Sequence, residues 1–227
     1  MLLTRRSVLS CGAAMLVVAP APVFAQSGTR VLGLYRGEDP IGEERLAVGR
    51  QGAEVVVEVR VRINVRLLGL PVYNYTLDAR ERWRGGSLLS LEARTDDDGT
   101  AHFVRAARGG DGVLSVEGSR FTGPVAGEPA TTSYWTRAFL GRGVWISTQD
   151  GRPLRVTARN AGTVGFPTAA GTVQATRWRI GGDLDGLVLY YDGAGEWIGS
   201  DFPARGEMLR FAVTRMGGLL APLWTGG

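Results

Sequence analysis

The residues of this chain that could do chemistry are mostly carboxylates, and they stand at isolated positions rather than in a motif. Glycoside hydrolysis uses two carboxyl groups on either side of a sugar bond. The candidates are Glu81, Asp185, Asp192, Glu196 and Asp201. Sequence spacing leaves their separations open, so a carbohydrate-active enzyme is one hypothesis. Asp192 also has a simpler interpretation, because Asp-Gly-Ala-Gly is typical of a hairpin turn.

The chain has few residues suited to metal binding or to nucleophilic catalysis. Zinc and copper sites use His and Cys ligands, but the chain has one His, His102, and one Cys, Cys11. This shortage also argues against Ser-His-Asp and Cys-His catalytic sites. All 26 basic residues are arginine, which excludes a lysine Schiff base. We therefore expect no catalytic residues, no metal and no cofactor, and favour a protein that is not an enzyme.

The acidic run Asp96-Asp97-Asp98-Gly99 resembles part of a calcium-binding loop. The EF-hand pattern would place an acidic residue at position 94 and a glutamate at position 105, and both positions are arginine. The run therefore favours an acidic hairpin turn.

The first 25 residues have the features of an export signal. Arg5 and Arg6 precede an apolar stretch at 9–18, and small residues end at Ala25, where we expect cleavage. The arginine pair is typical of a twin-arginine signal, with a general secretory signal as the alternative. The apolar stretch is too short to span a bilayer. We expect a single all-β domain at 26–227, located in the periplasm or secreted, with no membrane span.

The basic character of the chain is small once the export signal is removed. The 227 residues have a net charge of +4. Without Arg5 and Arg6, 24 arginines face 22 acidic residues, a net charge of +2. A nearly neutral domain lacks the electrostatic footprint of a nucleic-acid binder, so we expect no nucleic-acid partner.

Two long segments predict a β-hairpin. Apolar residues occupy the odd positions over 53–67 and charged or polar residues occupy most of the even ones, and a similar alternation covers 73–83. This period of two indicates antiparallel strands with one buried face. Gly69 and Pro71 separate the segments. We expect these pairs to face each other: Leu67 and Tyr73, Val65 and Tyr75, Ile63 and Leu77, Val57 and Trp83 inside, with Arg62 and Asp78, Glu58 and Arg82 outside.

Glu81 breaks this alternation, because it lies on the apolar face between Ala79 and Trp83. An inward carboxylate is costly unless it has a partner. One interpretation is a rim position, or an ion pair with Arg177 or Arg179. The other is a polar contact inside a ligand cavity.

The rest of the chain predicts short strands between turns and at most one short helix near 133–140. Strands are expected at 87–93, 100–107, 113–117, 144–148, 154–159, 172–180, 187–191, 196–199 and 208–215. Such spacing predicts an all-β fold, with one strongly curved antiparallel sheet that forms a barrel or half-barrel. The apolar residues at 219–224 either fold back over an open edge of the core or dock a partner.

The region from about Glu81 to Val213 resembles an exported bacterial family, domain of unknown function 6134. The motifs that carry the resemblance are Glu81-x-Trp83 with Gly86 and Leu88, Thr95 with Gly99, Tyr134-Trp135, Thr148-Gln149-Asp150-Gly151, Ala175, Ile180-x-Gly182-Asp183-Leu184, and Tyr191-Asp192 with Gly195 and Trp197. The resemblance implies no activity. Its pattern is also distantly similar to periplasmic lipoprotein carriers, where a curved sheet wraps an apolar cavity, and this second likeness is one of fold alone.

These sequence features are compatible with three functions. The favoured one is an exported, non-enzymatic binder of a lipid or other apolar small molecule, with Tyr73, Tyr75, Glu81 and Trp83 lining the binding face. The second is a structural or assembly partner in the cell envelope that uses the apolar C-terminal tail. The third is the carbohydrate-active enzyme with paired carboxylates.

Overall fold

The structure is a computed structural model that describes residues 26–225, except for the side chain of Leu67. The predicted export signal, with Arg5, Arg6 and Ala25, lies outside the described residues. Fifteen strands make up most of this region: β1 Ser27–Arg36, β2 Asp39–Gln51, β3 Glu54–Leu67, β4 Leu70–Arg84, β5 Ser87–Asp97, β6 Thr100–Arg108, β7 Leu114–Gly118, β8 Phe121–Val125, β9 Ala130–Thr131, β10 Val144–Ile146, β11 Pro153–Thr168, β12 Gly171–Gly182, β13 Val188–Asp192, β14 Trp197–Ala204 and β15 Glu207–Gly217. Two 3₁₀ turns, Arg137–Gly141 and Ala221–Leu223, complete the described elements.

All fifteen strands belong to one sheet, ordered β8-β7-β6-β5-β4-β3-β2-β1-β15-β14-β13-β12-β11-β10-β9. Neighbours are antiparallel except β9 and β10, which are parallel. The edge strands β8 and β9 do not pair with each other. Instead the turn before β8 meets the loop after β10, where the Arg120 amide donates to the Asp150 carbonyl at 3.1 Å. The predicted curved, all-β half-barrel is confirmed, and the expected short helix is the 3₁₀ turn Arg137–Gly141.

The β3–β4 hairpin has the predicted faces, but the predicted register is wrong by two residues. Val65 lies opposite Tyr73 and Val55 lies opposite Trp83. The reason is the turn, in which Leu68 and Gly69 adopt φ angles of 50° and 83° and close the hairpin between its flanking leucines, together with a shift in register between Val65 and Arg66. A slip of two keeps every side chain on its face, so the outward charges still meet.

The interior has two ends, distinguished by which turns surround them. The closed end holds the β2–β3 and β4–β5 turns and is filled by aromatic side chains. Its fully buried rings are Trp83, Trp135, Phe139, Trp145 and Trp197. The C-terminal tail packs back over this end, with Leu220 buried and the Trp224 ring 5.5 Å from that of Trp135. The opposite end, with the β1–β2, β3–β4 and β14–β15 turns, contains open space.

Part of the long β11–β12 hairpin covers the outside of the sheet. Phe166 is buried there, with its ring centroid 4.3 Å from that of Tyr190. Gly199 on β14 makes this contact possible, since a Cβ at that position would lie 2.5 Å from the Phe166 ring. No helix among residues 26–225 is long and apolar enough to cross a bilayer.

Candidate functional site

A cavity of about 1210 Å³ occupies the open end of the half-barrel. The inward faces of β3 and β4 form one wall, and the β14–β15 hairpin forms another. Side chains along these walls are mainly aliphatic or aromatic: Val59, Val61, Ile63, Val65, Leu77, Phe121, Leu154, Leu187, Phe202, Leu209 and Phe211. They face inward because of the same period of two that identified the strands. The cavity is open to solvent at its mouth.

Glu44 is a buried carboxylate on β2 that lines this cavity. On β2 it lies between Leu32 of β1 and Val61 of β3, which both face inward. The residue is 6% exposed, and no hydrogen bond to its carboxyl group occurs within residues 26–225. Burial raises the pKa of Glu44 to about 8. A carboxyl group with that pKa is mainly protonated at neutral pH and can donate a hydrogen bond.

Tyr134 and Tyr75 line the cavity near Glu44. Burial is the main cause that raises the pKa of both phenols, and Glu44 raises it further once its carboxyl group has ionised. Tyr134 adopts a φ of 55°, an uncommon backbone conformation for a bulky residue. Its carbonyl accepts a hydrogen bond from the Tyr191 hydroxyl at 2.8 Å, and its ring packs 5.7 Å from Trp145. Tyr134 therefore lies between the open cavity and the aromatic closed end.

Tyr73 lies nearer the mouth, where it contacts the β14–β15 turn. Its hydroxyl donates to Asp97 at 2.8 Å, and the Arg205 guanidinium lies 4.1 Å from its ring centroid. Burial, with the acceptor Asp97, raises the pKa of Tyr73 to about 12. Of the four predicted binding residues, Tyr73 and Tyr75 line the cavity. Whether they bind a ligand stays a prediction.

Glu81 and Trp83 lie elsewhere, among the packed rings of the closed end. Glu81 is fully buried rather than at a rim, and the Trp83 indole N–H donates to its Oε2 at 2.8 Å. No arginine among the described residues pairs with it, and Arg177 instead donates to the Ala161 carbonyl. Burial raises the pKa of Glu81 to about 7. The structure therefore shows Glu81 in an internal hydrogen bond with Trp83, rather than in an ion pair with an arginine or in contact with the cavity.

Most of the carboxylates considered for glycoside hydrolysis have structural partners. Glu196 pairs with Arg30, and Asp201 accepts from Arg210 at 2.6 Å. Asp192 accepts the backbone N–H groups of Ala194 and Glu196 at 2.9 Å, as expected for a turn. Asp185 is the member of the set that borders the cavity. Asp192 and Glu196 share one turn, and of the five candidates only Asp185 lines the cavity, so the structure does not bring the set together there.

Arginines ring the mouth, and acidic residues lie near each of them. Arg152 and Arg120 approach Asp150 at 2.9 and 3.9 Å, Arg36 approaches Glu207 at 3.6 Å, and Arg205 approaches Asp97 at 3.9 Å. The rim is therefore polar and nearly balanced in charge above an apolar interior. Residues 26–225 contain no group of three His, Cys, Asp or Glu side chains arranged to hold a metal ion.

Sequence reasoning missed Glu44, Tyr134 and Ser200, which all line the cavity. Ser200 is buried and its hydroxyl has no partner among the described residues. A signal for Glu44 existed, because Glu44, Leu46 and Val48 follow a period of two that puts the glutamate on the inward face. Tyr134 belongs to one of the motifs that carry the family resemblance, but no local pattern placed it at the cavity, which it reaches from a loop.

Comparisons with known proteins agree with this architecture. The family model described as "Domain of unknown function (DUF6134)" matches residues 34–214. A solved structure, the β-barrel-like protein of domain of unknown function DUF1849 from Brucella abortus, superposes with a TM-score of 0.60. The two are 11% identical over 84% of this chain and 96% of that one, a likeness of fold alone. No curated protein matches the sequence significantly.

Proposed function

This chain belongs to the DUF6134 family, and we propose that it is an exported, non-enzymatic protein that binds an apolar ligand of the lipid class in the open half of its barrel. The observation that carries the proposal is the cavity of about 1210 Å³ with its mainly aliphatic and aromatic walls. Ligand pockets of proteins are typically apolar, roughly 300–1,000 Å³ in volume, with few polar groups. At about 1210 Å³, this cavity is somewhat larger than that range and suits a molecule of lipid size.

The apolar walls supply the driving force for binding. Water in contact with these side chains is released when an apolar ligand replaces it, which contributes about 25 cal/mol for each Å² removed from water. The packed aromatic closed end supplies a rigid floor. A binder of this kind needs no catalytic group, in keeping with the dispersed carboxylates of this chain.

The polar groups deep in the cavity restrict the chemistry of the ligand's buried end. Glu44 is mainly protonated at neutral pH and has no hydrogen-bond partner among residues 26–225, so its O–H is free to donate. The nearby tyrosine hydroxyls of Tyr75 and Tyr134 are neutral as well. This set favours a ligand whose buried end carries an uncharged oxygen acceptor, such as a hydroxyl, carbonyl or ester group, over one that carries an anion.

Export to the periplasm is the part of the proposal that rests on sequence. Arg5, Arg6 and the small-residue stretch that ends at Ala25 support it. A twin-arginine route would deliver the domain already folded. The domain after residue 25 contains no cysteine, so it needs no oxidation at its destination.

Native mass spectrometry of the protein purified from its own cells, followed by organic extraction, tests the proposal. We expect a co-purified apolar molecule, and a rise in thermal midpoint on adding the matching lipid. A clean apo mass together with no thermal shift across a lipid panel would refute the proposal.

Two adjacent substitutions on β15 make the test specific to the cavity. Leu209→Trp places a bulky ring in the cavity wall, whereas Met208→Trp places the same ring on the exposed outer face. We expect the first to abolish ligand retention and the second to leave it unchanged. Equal retention by both variants would show that the ligand is bound somewhere else.

A further inference from the structure

The β3–β4 hairpin projects beyond its neighbours in the sheet. The pairing with β2 ends at Ile63, and the pairing with β5 ends at Tyr75. Residues 64–73, here called the arm, therefore continue as a two-stranded ribbon without lateral strand partners. At about 3.3 Å per residue, the five positions beyond Ile63 place the turn roughly 15 Å past the last pairing of β3 with β2.

The end of the arm is apolar and exposed. Leu68 is 96% exposed, Leu70 is 70% exposed and Val72 is 51% exposed. Single exposed apolar residues are common, but here three large ones occur within five positions. The arm carries one charged residue, Arg66, and no acidic residue. Clustered exposed apolar side chains of this kind mark interaction sites.

The backbone conformation of the turn also disfavours a leucine at position 68. Leu68 and Gly69 both have positive φ, as a type I′ turn requires. Asn-Gly is the favoured pair for this turn, because a side chain with a Cβ is strained in the left-handed region unless it is Asn or Asp. A leucine here costs both backbone strain and exposed apolar surface. A contact outside the chain would account for it.

We propose that the tip of the arm, formed by Leu68, Leu70 and Val72, inserts shallowly into the surface of an anionic lipid bilayer. Apolar side chains enter the boundary between headgroups and acyl chains, while a nearby cation pairs with anionic lipid. Arg66 is in position for this pairing, since its guanidinium lies beside the turn and donates to the Gly69 carbonyl at 3.3 Å.

The shape of the arm favours a bilayer over a groove on a protein, and shallow insertion over deep. The turn itself is closed by the pairing of Leu67 with Leu70, so few backbone groups at the tip lack a partner. Further down, both ribbon edges carry unpaired backbone groups, which cannot enter hydrocarbon without a large cost. Only the tip can therefore insert.

The arm is continuous with the cavity. Val65, Val72 and Tyr73 belong to the arm and also line the cavity. Insertion of the tip would thus hold the cavity mouth at the membrane surface. This inference does not require the cavity to be occupied, and vesicle binding tests it separately from ligand retention.

Flotation with vesicles of phosphatidylethanolamine and phosphatidylglycerol, compared with phosphatidylcholine vesicles, is the first experiment. We expect Leu68→Asn to weaken binding of the full chain about tenfold while leaving the thermal midpoint equal or higher, because Asn-Gly suits the turn. Opposite effects on binding and stability exclude misfolding as the cause. Leu219→Asn is the matched control, since it removes a leucine that is 55% exposed at the other end of the molecule.

Arg66→Gln tests the charge. It should reduce binding to the anionic vesicles and leave the weak binding to phosphatidylcholine unchanged, and added salt should have the same effect as the substitution. Equal losses on both vesicle types would contradict a role for anionic lipid.

A dye attached to the arm distinguishes vesicle binding by the arm from vesicle binding by the N-terminal segment, which all variants share. With Cys11 replaced by serine, an environment-sensitive dye on Leu68→Cys should shift to the blue when anionic vesicles are added. The same dye on Leu219→Cys should not. An unshifted dye at position 68, or loss of a co-purifying protein in Leu68→Asn with unchanged vesicle binding, would overturn the proposal.

Discussion

Arg30 and Glu196 form an ion pair at the closed end of the sheet in which both side chains are completely removed from solvent. The Glu196 carboxylate also accepts the backbone N–H groups of Leu220 and Ala221 at 2.9 and 2.8 Å. Arg30 donates to the Gly218 carbonyl at 2.8 Å. The pair thus joins the first strand, the β13–β14 turn and the C-terminal tail, three segments far apart in the chain.

Glu196→Ala should destabilise the protein by about 3–5 kcal/mol, because it leaves Arg30 buried without its counter-charge. The free energy of unfolding in urea measures this. Glu43→Ala is the control, since Glu43 pairs with Arg45 on the surface and such pairs contribute about 0–1 kcal/mol. Similar losses in the two variants would mean that the buried pair does not stabilise the closed end.

Leu220→Ala should cost about 2–5 kcal/mol of stability, because Leu220 is the fully buried residue with which the tail packs onto the closed end. Its neighbour Leu219 is exposed, and Leu219→Ala should change stability little. Urea unfolding monitored by tryptophan fluorescence compares them. Were the tail a docking segment for a partner instead of part of the core, both substitutions would leave the isolated protein equally stable.

Stability should fall as pH rises from about 4.5 to about 8. Glu44 has a pKa of about 8 in the folded protein but about 4.3 when unfolded, so between these values the folded state binds more protons. Proton binding by the folded state means that raising the pH favours unfolding. Glu81, with a pKa of about 7, adds to the effect over the lower part of the range.

Glu44→Gln should flatten this pH dependence, and denaturant midpoints measured from pH 4.5 to pH 8 would detect it. Glu43→Gln, a substitution of the adjacent, more exposed glutamate, should leave the slope as it is. An unchanged slope in Glu44→Gln would show that its carboxyl group ionises normally in the folded protein.

Gly199→Ala should destabilise the protein by about 1–3 kcal/mol through overpacking. A Cβ there would lie 2.5 Å from the Phe166 ring and 2.4 Å from the Phe211 carbonyl oxygen. Gly193→Ala, where a Cβ meets nothing within 4 Å, is the control for loss of glycine itself. Thermal midpoints of the two variants should differ clearly, and a tolerated Gly199→Ala would mean that the outer hairpin moves away readily.

The faces of the central strands could be predicted from sequence because side-chain direction in a strand depends only on local geometry. β3 and β4 alternate along most of their length, and their inward residues are the expected ones. β1 and β2 were not identified, since their inward positions include Arg30 and Glu44, which hide the apolar alternation. The two charged residues that obscured these strands both have specific environments: Arg30 pairs with Glu196, and Glu44 lines the cavity.

The candidate site could be predicted only in part. Tyr73, Tyr75, Glu81 and Trp83 share one face of β4, as the period of two requires, yet only the two tyrosines reach the cavity. Alternation specifies the face of a strand but contains no information about height along the barrel. The height at which the interior becomes open depends on the loop that carries Trp135 and on the tail, and both fill the closed end from distant positions in sequence.

The sequence by itself determined the all-β architecture, the inward and outward faces of the longest hairpin, and the scarcity of metal ligands and nucleophiles, because each follows from composition or from local periodicity. Tertiary structure decided which end of the half-barrel is filled, that Glu44 and not Glu81 faces the open space, and that Arg30 meets Glu196. These outcomes depend on contacts between segments that are remote in the chain, and no local pattern encodes which remote segment will occupy the space beside a given side chain.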